Sequence, residues 1–252
     1  MSKAILSASK LGKTFSAEGI HQHVLKDLDM EIYQGDFTVI MGSSGAGKST
    51  LLYALAGMDK PTHGNVIFDG RDISNYSNDK LAIFRRDNCG FVFQQMYLLD
   101  NMSILDNIMA AGLLVNKNRK ALAEKAKGLL TQFNIEQNTW RKFPSQVSGG
   151  EAQRAAIARA LINSPAIVFA DEPTGALNSA NGAAVLDALA EVNAKGQSIV
   201  MVTHDLNSAM RGNRIIYLRD GGIKGELGLD KYKGEEAKRR ENVKNFLAEM
   251  GW

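Results

Sequence analysis

A single cysteine, Cys89, excludes a disulfide within the 252-residue chain and fits a reducing compartment. Long apolar runs are missing as well. The longest, at residues 108–115, falls far short of the ~20 residues that a helix needs to cross a bilayer. The opening Met1-Ser2-Lys3-Ala4-Ile5-Leu6 holds no extended apolar segment of the kind a secretory signal uses, so a cytoplasmic chain is expected. Net charge is only +3, too little to argue for nucleic acid, and no nucleic-acid partner is expected. That charge is compatible with an anionic ligand or a membrane surface and proves neither. The chain shows no internal repeat and no low-complexity segment. A hydrophobic content of 44% and a charged content of 23% are ordinary for a globular protein. The length suits one large domain, or a core with a subdomain.

What is present is sharper. Residues 42–50 read Gly42-Ser43-Ser44-Gly45-Ala46-Gly47-Lys48-Ser49-Thr50, a complete G-x-x-x-x-G-K-[ST] phosphate-binding loop. The glycines let successive N–H groups converge on phosphates. Lys48 supplies a point charge at the β- and γ-phosphates, and the Ser49 hydroxyl can ligate Mg²⁺. A chance Gly-rich turn is the competing reading, and the flanks disfavour it. Phe37-Thr38-Val39-Ile40-Met41 is strand-like, and the residues from Ser49 to Ala56 continue as a helix whose N-terminus faces the phosphates. The chain is expected to bind a nucleoside triphosphate.

Strand-like runs fall at residues 4–15, 24–32, 37–41 and 65–68, punctuated by Gly35, Gly42 and Gly64. A helix is expected over 79–86 and a strand over 90–93. From 96 to 160 the pattern turns helical, with Ser103 placed to cap a helix to about 114 and an i, i+3, i+4 stripe over 121–133. Residues 166–170 and 198–202 are continuous apolar runs suited to a strand covered on both faces, with a helix expected over 181–192 between them. The reading is an α/β core interrupted by a helical insertion. Residues 231–240 are dense in charge, and Val243, Phe246, Leu247 and Met250 then mark an amphipathic helix ending at Trp252. That stripe can dock on the chain's own core, a second copy or a membrane partner.

Asp171 and Glu172 follow the run 166–170. A carboxylate at a strand's C-terminal end is well placed for Mg²⁺, which favours oxygen ligands. Glu172 can orient and deprotonate the water that attacks the γ-phosphate, work worth about 10²–10⁴ in rate. Alone, two acids after a strand would merely begin a loop. His204, after the run 198–202, is expected on the same sheet edge as Lys48, Asp171 and Glu172, where it could bond the γ-phosphate. His21-x-His23 looks like a metal pair but lacks a third ligand nearby. Ser148-x-x-Glu151 is a capping box for an Ala-rich helix. Gly149 and Gly150 would also leave that helix N-terminus bare as a second anion site, which two facing chains would need and one would not.

The phosphate loop, Phe93-Gln94, Ser148-Gly149-Gly150, Asp171-Glu172 and His204 stand in an order that resembles the ATP-binding cassette (ABC) transporter ATPases over residues 3–228. The resemblance implies a P-loop NTPase α/β core, with a RecA-like parallel sheet, an N-terminal antiparallel β-subdomain and an inserted α-helical subdomain. It implies one ATPase domain over 1–230 (core 1–95 and 163–230, helical subdomain 96–162) and a tail at 231–252. ATP and Mg²⁺ are the implied cofactors. Residues 42–50, Phe15 on the adenine, and Ser148, Gly149, Gly150 and Glu151 of a facing copy would hold nucleotide. Ser49, Gln94 and Asp171 would hold the metal, and Lys48, Gln94, Glu172 and His204 would serve catalysis. A homodimer in the ATP-bound state is implied, peripheral on the cytoplasmic face, with a membrane permease whose coupling helix enters a groove near 95–99.

Gly90-Phe91-Val92-Phe93-Gln94 and Ala170-Asp171-Glu172-Pro173-Thr174-Gly175-Ala176-Leu177 resemble the macrolide-exporter, lipoprotein-release and peptide-antibiotic resistance branch. Two positions depart from the family pattern. Glu151 stands where glutamine is usual, and Asn178 where aspartate is usual. Rival readings are a soluble ABC ATPase, a cell-wall hydrolase regulator, or a nutrient importer, the last disfavoured by Thr174-Gly175.

Overall fold

The computed structural model of the protein describes residues 3–17, 19–234 and 237–252. Along the chain run β1 (Ala4–Ala17), β2 (Ile20–Tyr33), β3 (Phe37–Met41), α1 (Lys48–Leu55), β4 (His63–Phe68), β5 (Arg71–Asp72), α2 (Asn78–Asn88) and β6 (Cys89–Phe93). Then follow α3 (Ile104–Gly112), α4 (Arg119–Gln132), α5 (Gly149–Leu161), β7 (Ile167–Asp171) and α6 (Ser179–Ala194). The chain closes with β8 (Ser198–Val202), α7 (Leu206–Ala209), β9 (Arg214–Arg219), β10 (Gly222–Gly228) and α8 (Ala237–Glu249). These elements fall into two units, Met1–Ala82 with Asn193–Trp252, and Ile83–Val192.

In the first unit, β2, β1, β4 and β5 form an antiparallel sheet in that order. Beside it, β3 pairs in parallel with β8 on one side and β9 on the other, with Ile40 opposite both Val202 and Ile216. Every residue of β3 and β8 is buried, which is why both read as unbroken apolar runs rather than alternating ones. β9 and β10 form a hairpin that the sequence reading did not place. Its turn is Asp220-Gly221, both at positive φ, +52° and +78°, the conformation that matches a two-residue hairpin loop to strand twist.

The C-terminal helix α8 stops at Glu249 and not at Trp252. Gly251, at φ +80°, turns the backbone out of the helix. Its stripe faces its own unit. Val243 and Leu247 are fully buried, Phe246 is nearly so, and a Cβ on Gly225 of β10 would lie 3.2 Å from the Phe246 ring. The Arg239 guanidinium, also buried, donates to the carbonyls of Met210, Gly212 and Asp230 and so pins the helix from its first turn. Within the charged stretch 231–240, Glu235 and Glu236 lie outside the described residues, as do Met1 and Ser2 of the opening segment.

In the second unit, β6 and β7 run parallel with Phe93 opposite Asp171. Phe91 stacks on Phe93 and Phe169 with ring centroids 5.8 and 5.9 Å apart. Ser103 caps α3 as expected, its Oγ accepting from Asp106 N. α4 buries Leu122, Ala126 and Leu130 at i, i+4, i+8, the spacing that keeps one helical face apolar. Asn107, almost wholly buried, receives Leu99 N–H and donates to the carbonyls of Leu99, Met102 and Ser103, fixing the loop that precedes α3. Burial pushes the Cys89 thiol pKa up, away from the thiolate form that reacts.

Candidate nucleotide site

The first unit carries the phosphate loop between the end of β3 and the start of α1. Gly47, at φ +96°, is the N-cap of α1 and contributes no side-chain acceptor to the helix's leading N–H groups, and a helix N-terminus of this kind favours an anion. A Cβ at Gly47 would sit 2.9 Å from Val24 O, and one at Gly42 only 2.1 Å from Leu218 O. Both positions therefore demand glycine for reasons of space as well as conformation. Lys48 is buried, with Nζ donating to Gly42 O at 2.9 Å and Ser43 O at 2.8 Å. The ammonium is arched back over the loop, while Ser43, Ser44 and Gly45 are exposed around it. A glycine-rich loop with a buried ammonium at its helical end fits a phosphate group and nothing apolar.

His204 follows β8, and because β3 and β8 are parallel it leaves the sheet at the same edge as the phosphate loop. It is exposed, and its neighbours are anchored. Thr203 N donates to Ile40 O at 3.2 Å, and Asp205 caps α7 by accepting from Ser208 N at 2.7 Å. Phe15 is 45% exposed near the distal end of β1, with Lys13 Nζ 5.0 Å from its ring centroid. His21 and His23 lie along β2, where their Nδ1 atoms pair with Ser16 Oγ at 2.8 Å and Thr14 Oγ1 at 2.9 Å across to β1. Those bonds make cross-strand ties of the two rings. Among the described residues no group of three or more His, Cys, Asp or Glu is arranged to hold a metal ion.

The second unit carries the carboxylates and the signature. The Phe93–Asp171 pairing places Gln94 and Glu172, the next residues, on one edge of the β6–β7 pair. Glu172 has φ +44°, a strained setting for a side-chain-bearing residue and one that clusters at functional positions. Ser148 and Glu151 form the predicted capping box in full. Glu151 Oε2 accepts from Ser148 N at 2.9 Å and Ser148 Oγ at 2.8 Å, and Oε1 accepts from Thr139 Oγ1 at 3.3 Å. The Ser148 backbone N–H, then its hydroxyl, hold the Glu151 carboxyl below its usual pKa.

The signature glycines are less bare than the sequence suggested. A Cβ on Gly150 would stand 2.6 Å from Asn181 Oδ1, so the second glycine makes room for a residue of α6 in its own chain. Asn178 caps α6 through Oδ1, which accepts from Asn181 N at 2.9 Å, a role aspartate would fill equally. Sequence reasoning missed Gln153. It is fully buried in α5 and donates both amide N–H groups to backbone carbonyls, Phe93 O and Pro173 O, each at 2.8 Å.

A glycine-rich phosphate loop opening a helix at the edge of a parallel sheet defines a P-loop nucleotide-binding protein. The chain belongs to the ABC transporter family, whose sequence profile matches residues 25–175. The bacitracin export ATP-binding protein BceA of Halalkalibacterium halodurans is 39% identical over 249 residues, 98% of this chain and 96% of that protein. The macrolide export ATP-binding/permease protein MacB of Shewanella sp. (strain ANA-3) is 40% identical over 223 residues. That match takes in 88% of this chain, which spans only 34% of the MacB length. Among solved structures, a dimeric post-hydrolysis structure of the ATP-binding cassette MJ0796, bound to ADP and Pi, superposes with a TM-score of 0.80 at 37% identity. It covers 90% of this chain and all of that one. The α/β P-loop fold and the family resemblance both hold, and so does the macrolide and peptide-antibiotic export branch as the neighbourhood of this sequence.

Proposed function

We propose that this chain is the ATP-hydrolysing subunit of a membrane export or mechanotransmission complex, working as a nucleotide-driven dimer at the cytoplasmic face of the membrane. The observation that carries the reading is Glu172. It sits in a strained backbone conformation directly after the Phe93–Asp171 pair, and we assign it the role of general base. Lys48 and the loop amides bind the β- and γ-phosphates. Mg²⁺ favours oxygen ligands, and the Ser49 hydroxyl, the Gln94 amide oxygen and the Asp171 carboxylate would hold it, where the ion would neutralise phosphate charge. Glu172 takes the proton of the attacking water, His204 bonds the γ-phosphate, and Phe15 offers a face to the adenine. Ser148, Gly149, Gly150 and Glu151 of a second copy close on the nucleotide. The ATPase domain spans 1–230, with a helical subdomain over 96–162.

Support for a membrane partner comes from the second unit. A cavity of about 700 Å³ lies along α3, lined by residues that include Met102, Leu105, Met109, Leu113 and Phe143. Tyr97 and Leu99 stand exposed on the loop that Asn107 holds. Asp106, Arg119 and Arg141 share the lining, so the groove is amphipathic, which suits a short amphipathic helix from another protein. Among the described residues no helix is long and apolar enough to cross a membrane. MacB, by its name, joins ATP binding and permease, and only about a third of its length matches this chain.

The test is affinity purification of the tagged chain from detergent-solubilised native membranes, followed by mass spectrometry and an ATPase assay. A stoichiometric multi-span protein that stimulates ATP turnover is the expected result. Recovery of soluble partners or nucleic acid alone would move the soluble ABC ATPase to the front.

A further inference from the structure

The parallel ladder between β6 and β7 ends at Phe93 opposite Asp171. Gln94 and Glu172 therefore leave the sheet beyond its last pair. Just beyond that pair, one side chain of the second unit reaches both strand ends. Gln153, fully buried on α5, spends one amide N–H on Phe93 O and the other on Pro173 O, both at 2.8 Å. These carbonyls belong to the residue just before Gln94 and the residue just after Glu172. Pro173 has no N–H, so its carbonyl is the only backbone group through which that residue can be tied.

The amide's orientation is forced. Two carbonyls call for two donors, and turning the amide over would set its oxygen against them. The consequence is visible on the other side, where Gln153 Oε1 is buried without a hydrogen-bond partner among the described residues. The residues around it on α5 are Ala152, Ala155, Ala156 and Ile157, all buried. A polar side chain kept in such a setting, with one atom unsatisfied, is explained by what its other atom holds. The same helix grips the loop after β6 a second time. Arg159 donates from Nη2 to Met96 O at 2.5 Å and from Nη1 to Tyr97 O. Through Ser148 at its N-cap, α5 also begins at the signature.

We infer that Gln153 is a positioning residue, holding the loops that carry Gln94 and Glu172 in register with each other and with the signature helix. The inference rests on the roles proposed above for those two residues. Movement of the signature end of α5 is passed to both loops through this amide, and to the loop after β6 through Arg159 as well, so closure of a second copy on the signature and readiness for hydrolysis become a single event.

Gln153→Met tests this, because methionine nearly matches glutamine in shape and removes both donors. The purified full chain is assayed for ATP turnover and for amide hydrogen exchange without nucleotide. The expected result is a fall in kcat of about tenfold or more with KM for ATP unchanged, as for a group misplaced by a fraction of an ångström. Exchange at residues 94–97 and at Thr174 and Gly175 should rise together. Unchanged kcat, a fall in kcat with unchanged exchange, or faster exchange in one loop only would each overturn the inference. Should the methionine variant fail to fold, Gln153→Asn, which keeps the amide but withdraws it by one methylene, replaces it with the same outcomes. Absence of turnover in the wild-type chain would sink the ATPase reading alone, and the exchange comparison would still decide whether Gln153 ties the loops.

Discussion

A Cβ on Gly175 would stand 2.8 Å from Gln94 Nε2 and 3.0 Å from its Cδ. Glycine at 175 is what lets Gln94 lie against the turn after Glu172, a turn closed by Gly175 N–H on Glu172 O at 3.0 Å. The backbone there is not in the left-handed region, so serine could enter without strain and the whole adjustment would fall on Gln94. Gly175→Ser should leave nucleotide affinity near wild type and lower kcat by about tenfold, with more Mg²⁺ needed for half-maximal rate. Titrating Mg²⁺ against turnover checks this. An unchanged curve would show that Gln94 moves without consequence.

Glu172 combines a chemical role with a backbone cost, and two substitutions separate them. Glu172→Gln keeps the shape and the φ of +44° but removes the proton acceptor, so kcat should fall by about 10²–10⁴ while ATP binding persists and a dimer accumulates. Glu172→Gly removes the same acceptor and relieves a conformation that costs a side-chain-bearing residue about 1 kcal/mol or more. It should therefore be just as inactive and melt no lower than wild type. A melting temperature several degrees lower would show that the backbone here is not strained.

Much of this was legible because local chemistry and tertiary demand agreed. β3 and β8 were readable to the residue, since a strand buried on both faces leaves a nearly continuous apolar run. Ser148 and Glu151 announced a cap, and the structure has one. The β9–β10 hairpin was missed although Asp220-Gly221 is a strong two-residue turn signal; Ile215, Ile216, Tyr217 and Leu218 beside it are buried throughout. Gln153 could not have been found. Its partners are backbone carbonyls 60 and 20 residues away, and a backbone carbonyl leaves no mark on the sequence. The end of α8 was overrun because the apolar stripe continues to Met250 while Gly251 has already left the helix.

Glu151 should give the cap a pH signature. Its carboxyl is held below the usual 4.5 by Ser148 N–H and Oγ–H. A carboxylate with a depressed folded pKa contributes stability that is fully present above its unfolded value and is lost as pH falls through the folded one. Wild type and Glu151→Gln should thus differ in melting temperature at pH 7 and converge as the pH is taken below 4.5. Ser148→Ala, which removes the acceptor for Glu151 N, should cost about 1 kcal/mol at neutral pH. Parallel melting curves at every pH would show that the ionised carboxylate adds nothing.

The C-terminal stripe can be assigned by stability alone. Phe246 is 8% exposed between the fully buried Val243 and Leu247, and a Cβ on Gly225 would meet both Phe246 and Met250. A helix packed in this way contributes to folding, whereas one waiting for a partner does not. Phe246→Ala should cost about 3 kcal/mol, the lower end for truncating a buried phenylalanine. For a chain of this size that is roughly 6–12 °C in Tm, at ~2–4 °C per kcal/mol. The docking is intramolecular, so the loss should be independent of protein concentration and should appear without ATP or membranes. A variant that melts like wild type but no longer dimerises in ATP would return the stripe to the dimer interface.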